Sequence, residues 1–309
     1  MSTIIKQILR NKEIEVAASK RTRPLADLQK MIADAPPVRS FRSALGSPFG
    51  IIAEIKKRAP SRGDMRPENV EDAPEAYERS SLVKAISILT DNKYFGMSIE
   101  RLREIRATLT KPVLRKDFII DEYQIHEARA FGADAILLMA NVLDRARLHA
   151  FYEIARQLGL DVLFESHTAE QIAYIPTGAE IYGINCRKFE SKIVIGIDRY
   201  KVSRLLRRLW HSLPDLSAEY EKFALIERIP AQAIKVAESG VNTGNIAGVR
   251  RMGYNAALIG NSLLCAPEGI ANALARFQEA LDDRAGASAP AGIGSDEAHV
   301  PVRRATAAR

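Results

Sequence analysis

Lys116 poses the sharpest chemical question in this sequence. Leu114 belongs to an apolar run that begins at Val113, yet Arg115, Lys116 and Asp117 cut the run before it resumes at Phe118-Ile119-Ile120. A lysine buried at a strand end costs free energy unless it is paired or employed. Similar groups close other apolar runs: Glu54 and Lys56, Glu165 and His167, Asn185 and Arg187, Glu238-Ser239-Gly240, and Gly260-Asn261. Side chains two apart on a strand face the same way, so each pair points in one direction. Brought to one mouth, two lysines, two or three carboxylates, an arginine and an asparagine suit proton transfers on an anionic substrate. The spacing of histidines and cysteines offers no metal site, and the chemistry calls for no cofactor.

The elements that must position these residues recur along the chain. Eight short apolar runs, "GIIAEI", "VKAISIL", "PVLRK", "ADAILLM", "DVLFE", "EIYGIN", "IKVAES" and "NAALIG", alternate with segments of helical periodicity. Several of those segments end in Gly, as a helix stop would. Eight strand–helix units in one chain of this length predict an α/β fold, a (β/α)8 TIM barrel, over an open doubly wound sheet. In such a barrel chemistry sits at the carboxyl ends of the strands, where all the residues above fall. "ESG" and "IGN", after the seventh and eighth runs, are expected to present backbone N–H groups to a phosphate. Cys186 lies between two inward residues, so alternation turns it toward the helix layer, where a small buried cysteine is ordinary.

Residues 1–45 are expected to form an N-terminal helical extension and 46–281 the barrel. Its sixth unit is enlarged at 196–232, and 282–309, rich in Ala, Gly and Pro, reads as a disordered tail. The segment "KVSRLLRRLW" in the enlarged unit is basic and amphipathic, which suits a solvated helix packed on the barrel.

Composition bounds the remaining classes. The 309 residues carry a net charge of +7, with 47% hydrophobic and 27% charged residues, the balance of a soluble globular protein. No apolar run approaches the roughly 20 residues that cross a bilayer, and the charged N-terminus does not read as a secretory signal. Two cysteines without ligand spacing fit a reducing cytoplasm. Neither a basic stripe with interleaved aromatics nor a nucleic-acid motif is present. The expected partner is a small anionic molecule, not nucleic acid or a membrane.

Taken together, "IIAEIKKRAPSRG", "AISILTDNKYF", "PVLRKDFIIDEYQI", "ADAILLMANVL", "VLFESHT", "GINCRKF", "VAESGV" and "LIGNSLL" resemble, in order and spacing, the indole-3-glycerol phosphate synthase family. "PPVRSFRSAL" is similar to that family's N-terminal extension. The resemblance implies closure of the indole pyrrole ring, converting 1-(2-carboxyphenylamino)-1-deoxyribulose 5-phosphate to indole-3-glycerol phosphate with loss of carbon dioxide and water. It implies Lys116 as general acid and Glu165 as a proton carrier. Glu54, Lys56, Asn185, Glu238 and Ser239 complete the catalytic set. Arg187, Phe95, Phe118, Leu137, Pro60 and Leu258 would bind substrate, and Lys56, Gly240, Gly260 and Asn261 its phosphate. Other enzymes of tryptophan biosynthesis are the partners it suggests. The chain departs from the family's usual pattern at Ala59, Met97, Cys186 and Asn261, none of them a proposed proton carrier. Phosphoribosylanthranilate isomerase, a neighbouring phosphate-binding barrel, fits poorly because Glu54-Ile55-Lys56 occupies the first strand. A diverged paralogue acting on a related phosphorylated substrate, or an anion-binding scaffold using residues 201–210, is the alternative reading.

Overall fold

Alternation decides how the eight apolar runs are used. The structure, a computed structural model, describes residues 3–46, 48–187 and 219–282. Among these, eight strands form a closed, wholly parallel barrel: β1 Gly50–Ile55, β2 Val83–Leu89, β3 Val113–Lys116, β4 Ala135–Met139, β5 Asp161–Ser166, β6 Ile181–Asn185, β7 Ile234–Glu238 and β8 Ala256–Ile259. Each strand pairs with the next in the chain, and β8 pairs with β1, as in Ile52 opposite Leu258. All eight expected runs are strands, in the expected order.

Odd and even positions of each strand face different layers. Ile51, Ala53 and Ile55 of β1 join Ile86, Ile136, Phe164 and Ile184 in the apolar layer between strands and helices. Ile52 faces inward with Ala85, Leu114, Leu137, Leu163, Ile181, Val236 and Leu258, filling the barrel. Above that filling the inward positions turn polar: Glu54, Lys116, Glu165, Asn185 and Glu238 occupy the carboxyl ends of five strands. Helix stops match the sequence signals; Gly132 (φ 85°) and Gly159 (φ 72°) take left-handed backbone that only glycine adopts without cost.

The N-terminal extension wraps the barrel from mouth to floor. Helix α1 (Thr3–Thr22) binds the mouth through Lys12, whose Nζ lies 3.2 Å from Asp91 and 2.9 Å from Asp117, the residues just beyond the ends of β2 and β3. Helix α2 (Leu25–Ala33) packs on the barrel helix Tyr123–Ala130. Helix α3 (Phe41–Leu45), capped by Ser40, closes the floor. There Asp134 accepts hydrogen bonds from the Arg39 and Val113 amides, each 2.8 Å, and Asp161 accepts one from the Arg42 amide at 2.9 Å. Phe41 and Leu45 join the inward cluster from this side.

A two-residue antiparallel ribbon, Arg58–Ala59 with Gly63–Asp64, lies in the loop after β1, where no periodicity marks it. Most of the expected enlargement at 196–232, including residues 201–210, and the tail beyond 282 lie outside the described residues. The unit's described end is a 3-10 helix, Tyr220–Arg228, attached by the Glu219 amide to the Cys186 carbonyl at 2.7 Å.

Candidate active site

The barrel's mouth opens on a cavity of about 520 Å³, and nearly all the expected residues line it. Glu54 and Lys56 come from β1, Lys116 and Phe118 from β3, Leu137 from β4 and Glu165 from β5. Asn185 and Arg187 follow from β6, Glu238, Ser239 and Gly240 from β7, and Leu258, Gly260 and Asn261 from β8. Phe95, from the short helix after β2, completes them. Pro60 is the exception: it is exposed, in the turn of the ribbon, and is not among the lining residues. Its neighbour Ser61 accepts a hydrogen bond from Arg187 at 3.2 Å, so the loop reaches the mouth through Ser61 and Arg62 instead.

Lys116 is the hub. Its ammonium lies 3.0 Å from Glu238 Oε2 and 3.3 Å from Glu165 Oε2. The Arg115 guanidinium, next to it in the run, faces the other way. Arg115 pairs with Asp117 (3.1 Å) and Glu127 (2.8 Å) behind the strand and is not among the cavity's lining residues, whereas Asp117 both holds Arg115 and lines the cavity. Burial alone would push the Lys116 ammonium down; the facing carboxylates of Glu238, Glu165 and Glu54 hold it above the usual lysine range.

The two carboxyls on this ammonium have different surroundings. Burial opposes the charged form of Glu165, but Lys116, His167 (Nε2 3.3 Å from Oε1) and Asn185 favour it, and the group stays below the ordinary carboxylate range. His167 thus sits behind Glu165, outside the cavity lining. Glu238 has Lys116 alone as cation, and its Oε1 is buried without a hydrogen-bond partner among the described residues. Burial and the neighbouring Glu165 charge outweigh Lys116 there, and the group is pushed up to about 8. Lys116 is slightly closer to Glu238 than to Glu165, yet the number of partners, not that small difference, decides which carboxyl keeps its charge.

A second pair lies across the mouth, Lys56 hydrogen-bonded to Glu54, both buried. Burial, with Arg187 and Lys116 nearby, lowers Lys56 despite its Glu54 partner. Burial would raise Glu54, but Lys56 and Lys116 keep it lowered. Gly260 gives Glu54 its room: a Cβ at 260 would collide with Glu54 Oε1 and stand 3.0 Å from Cδ. This close approach is a use of Gly260 that its place in "IGN" did not reveal.

At the end of β7 the backbone is strained. Ser239 takes φ 67° and Gly240 φ 74°; Ser239 is the non-glycine residue with left-handed φ among the described residues. Ser262, in the short helix Asn261–Leu264 after β8, donates to the Val241 carbonyl at 3.1 Å and joins the two loops. Arg62 and Met139 also line the cavity and were not singled out from sequence. Met139 follows Leu137 by two on β4, so alternation contained that signal; Arg62 lies in a loop without period. Cys186 is fully buried in the outer apolar layer, as alternation required, and burial pushes its thiol up to about 12.

The family model described as indole-3-glycerol phosphate synthase matches residues 5–212. Proteins of that name from Bacteroides thetaiotaomicron (35% identical over 275 residues, 87% of this chain and 95% of that one) and Chlorobium phaeovibrioides (38% over 270, 84% and 94%) are similar along most of their length. One from Alkaliphilus metalliredigens is 35% identical over 285 residues, 91% of this chain and all of that one. A solved structure of thiamine phosphate pyrophosphorylase from Pyrococcus furiosus superposes with a TM-score of 0.52 at 16% identity, covering 80% of this chain and 100% of its own, a likeness of fold alone.

Proposed function

The chain belongs to the indole-3-glycerol phosphate synthase family, and we propose that it closes the indole ring with Lys116 as the general acid. It is a carboxy-lyase of tryptophan biosynthesis, acting on 1-(2-carboxyphenylamino)-1-deoxyribulose 5-phosphate. The observation that carries the residue assignment is the Lys116 ammonium, held between Glu165 and Glu238 in a cavity that also contains Lys56 and Arg187.

The ketone carbon is a poor electrophile until its oxygen gains a proton. As the anthranilate ring carbon attacks, the carbonyl electron pair moves to oxygen and takes a proton from Lys116. A raised lysine still suits this step, because the oxygen becomes an alcohol, a far weaker acid than any ammonium. Carbon dioxide then leaves, its bonding pair restoring the aromatic ring. Loss of water needs a proton delivered to the new hydroxyl and one removed from the ring system. Lys56, lowered by burial, suits delivery, and Glu165, held charged, suits removal.

Phe95, Phe118, Leu137, Met139 and Leu258 offer an apolar wall for the aryl ring, and the Arg187 fork suits the substrate carboxylate. The loops bearing Gly240, Gly260 and Asn261, with Lys56, face the phosphate. Holding the bent substrate with ring carbon over ketone is itself a large share of the catalysis. The reading carries a cytoplasmic setting and other enzymes of the pathway as neighbours. Its test is the rise of indole fluorescence when the folded chain meets the ribulose phosphate; no signal at saturating substrate overturns it. The diverged-scaffold alternative has no observation among the described residues in its favour.

A further inference from the structure

We propose that Gly183 is a positioning residue: its bare backbone in β6 is the seat in which the Glu238 carboxyl lies, held against the Lys116 ammonium. The inference deepens the reading above and rests on it for the role of Lys116.

Gly183 sits in the middle of β6, opposite Glu165 on β5 and Val236 on β7. By alternation it faces inward with Ile181 and Asn185. A glycine inside a strand weakens it, through chain entropy and a missing side chain, so its presence needs a reason. Its φ lies outside the left-handed region, so the backbone conformation does not demand glycine. Space does. A Cβ at 183 would collide with Glu238 Oε1, stand 3.1 Å from Glu238 Cδ and approach Leu163 Cδ1 to 3.3 Å.

The Glu238 side chain therefore reaches from β7 across β6 and rests on this backbone. One carboxyl oxygen, Oε1, is buried against the strand without a hydrogen-bond partner among the described residues; the other accepts from Lys116. A methyl group in the seat would push the carboxyl, the far end of a flexible side chain, toward the cavity. Lys116 would lose its 3.0 Å contact, while Glu165 would keep its own.

Gly183→Ala tests this. The variant is expected to fold, with kcat lowered about a hundredfold, as a misplacement of about 1 Å near the reacting atoms can do, and KM nearly unchanged. In a Glu238→Ala background the same change is expected to cost less than about twofold, since nothing remains for the methyl to displace. An equal loss in both backgrounds, or no loss in either, overturns the seat. Should Gly183→Ala alone fail to fold, the seat predicts that Gly183→Ala/Glu238→Ala folds; failure of both overturns it. A crystal structure of the folded variant separates this idea from the activity itself, because it needs no turnover. A displaced Glu238 carboxyl on an unmoved β6 supports the seat, and a carboxyl in place on a shifted strand contradicts it. An inactive wild type would sink the reading of the reaction alone.

Discussion

Glu165 and Glu238 share one ammonium and are equally buried, yet they titrate in opposite directions. Glu238 keeps its proton in the folded chain up to about 8, whereas the ordinary value for the unfolded chain is 4.5. The native state thus binds more protons than the unfolded state between those values, and stability contributed below 4.5 is lost as pH rises through the window. Glu238→Gln removes this titration. Urea unfolding should show the wild type losing stability relative to the variant between about pH 5 and about pH 8; parallel curves would contradict the raised carboxyl. From the sequence, the inward set could be read because alternation at a strand end fixes direction: Glu54, Lys116, Glu165, Asn185 and Glu238 all follow it. What could not be read was their order of protonation, which depends on partners from other strands, or the contacts that make Gly183 and Gly260 necessary.

At the level of elements, the barrel strands and several helix stops were legible because each signal is local: an apolar run, or a glycine after a helix. The course of the N-terminal extension was not. Its attachment depends on pairs distant in the chain, Lys12 with Asp91 and Asp117 above and the Arg39 amide with Asp134 below. Lys12 is 2% exposed, and its two carboxylate partners beyond β2 and β3 are as buried. Burial would lower this lysine, but Asp117, Asp91 and Glu15 hold it above the ordinary range. Removing it leaves Asp91 Oδ2 without its cation, whereas Asp117 retains Arg115. Lys12→Met should therefore cost about 3 kcal/mol in urea unfolding, the lower range for breaking a buried ion pair. A loss below about 1 kcal/mol, the ordinary value of an exposed pair, would mean that α1 is not anchored in this way. The ribbon after β1 also escaped the sequence, since two-residue strands carry no period; it is the element that brings Ser61 to Arg187.

For the whole molecule, the fold divides its labour by height. The floor is closed by α3, the middle of the barrel is apolar, and the charges gather at the mouth. Five basic side chains (Lys56, Arg62, Lys116, Arg187 and Arg276) and five acidic ones (Glu54, Asp117, Glu165, Glu238 and Glu268) line the cavity. With Glu238 protonated the balance is one positive charge, which favours a substrate bearing a carboxylate and a phosphate. The net +7 of the chain is consistent with such a ligand but did not identify it; the strand-end set did. That set turns on a single ammonium. Indole fluorescence followed in Lys116→Ala, at saturating substrate and with folding verified by circular dichroism, is the direct measurement. Turnover lower by at least about a hundredfold is the result expected for a lost general acid; a loss of about tenfold or less would mean that another group delivers the proton.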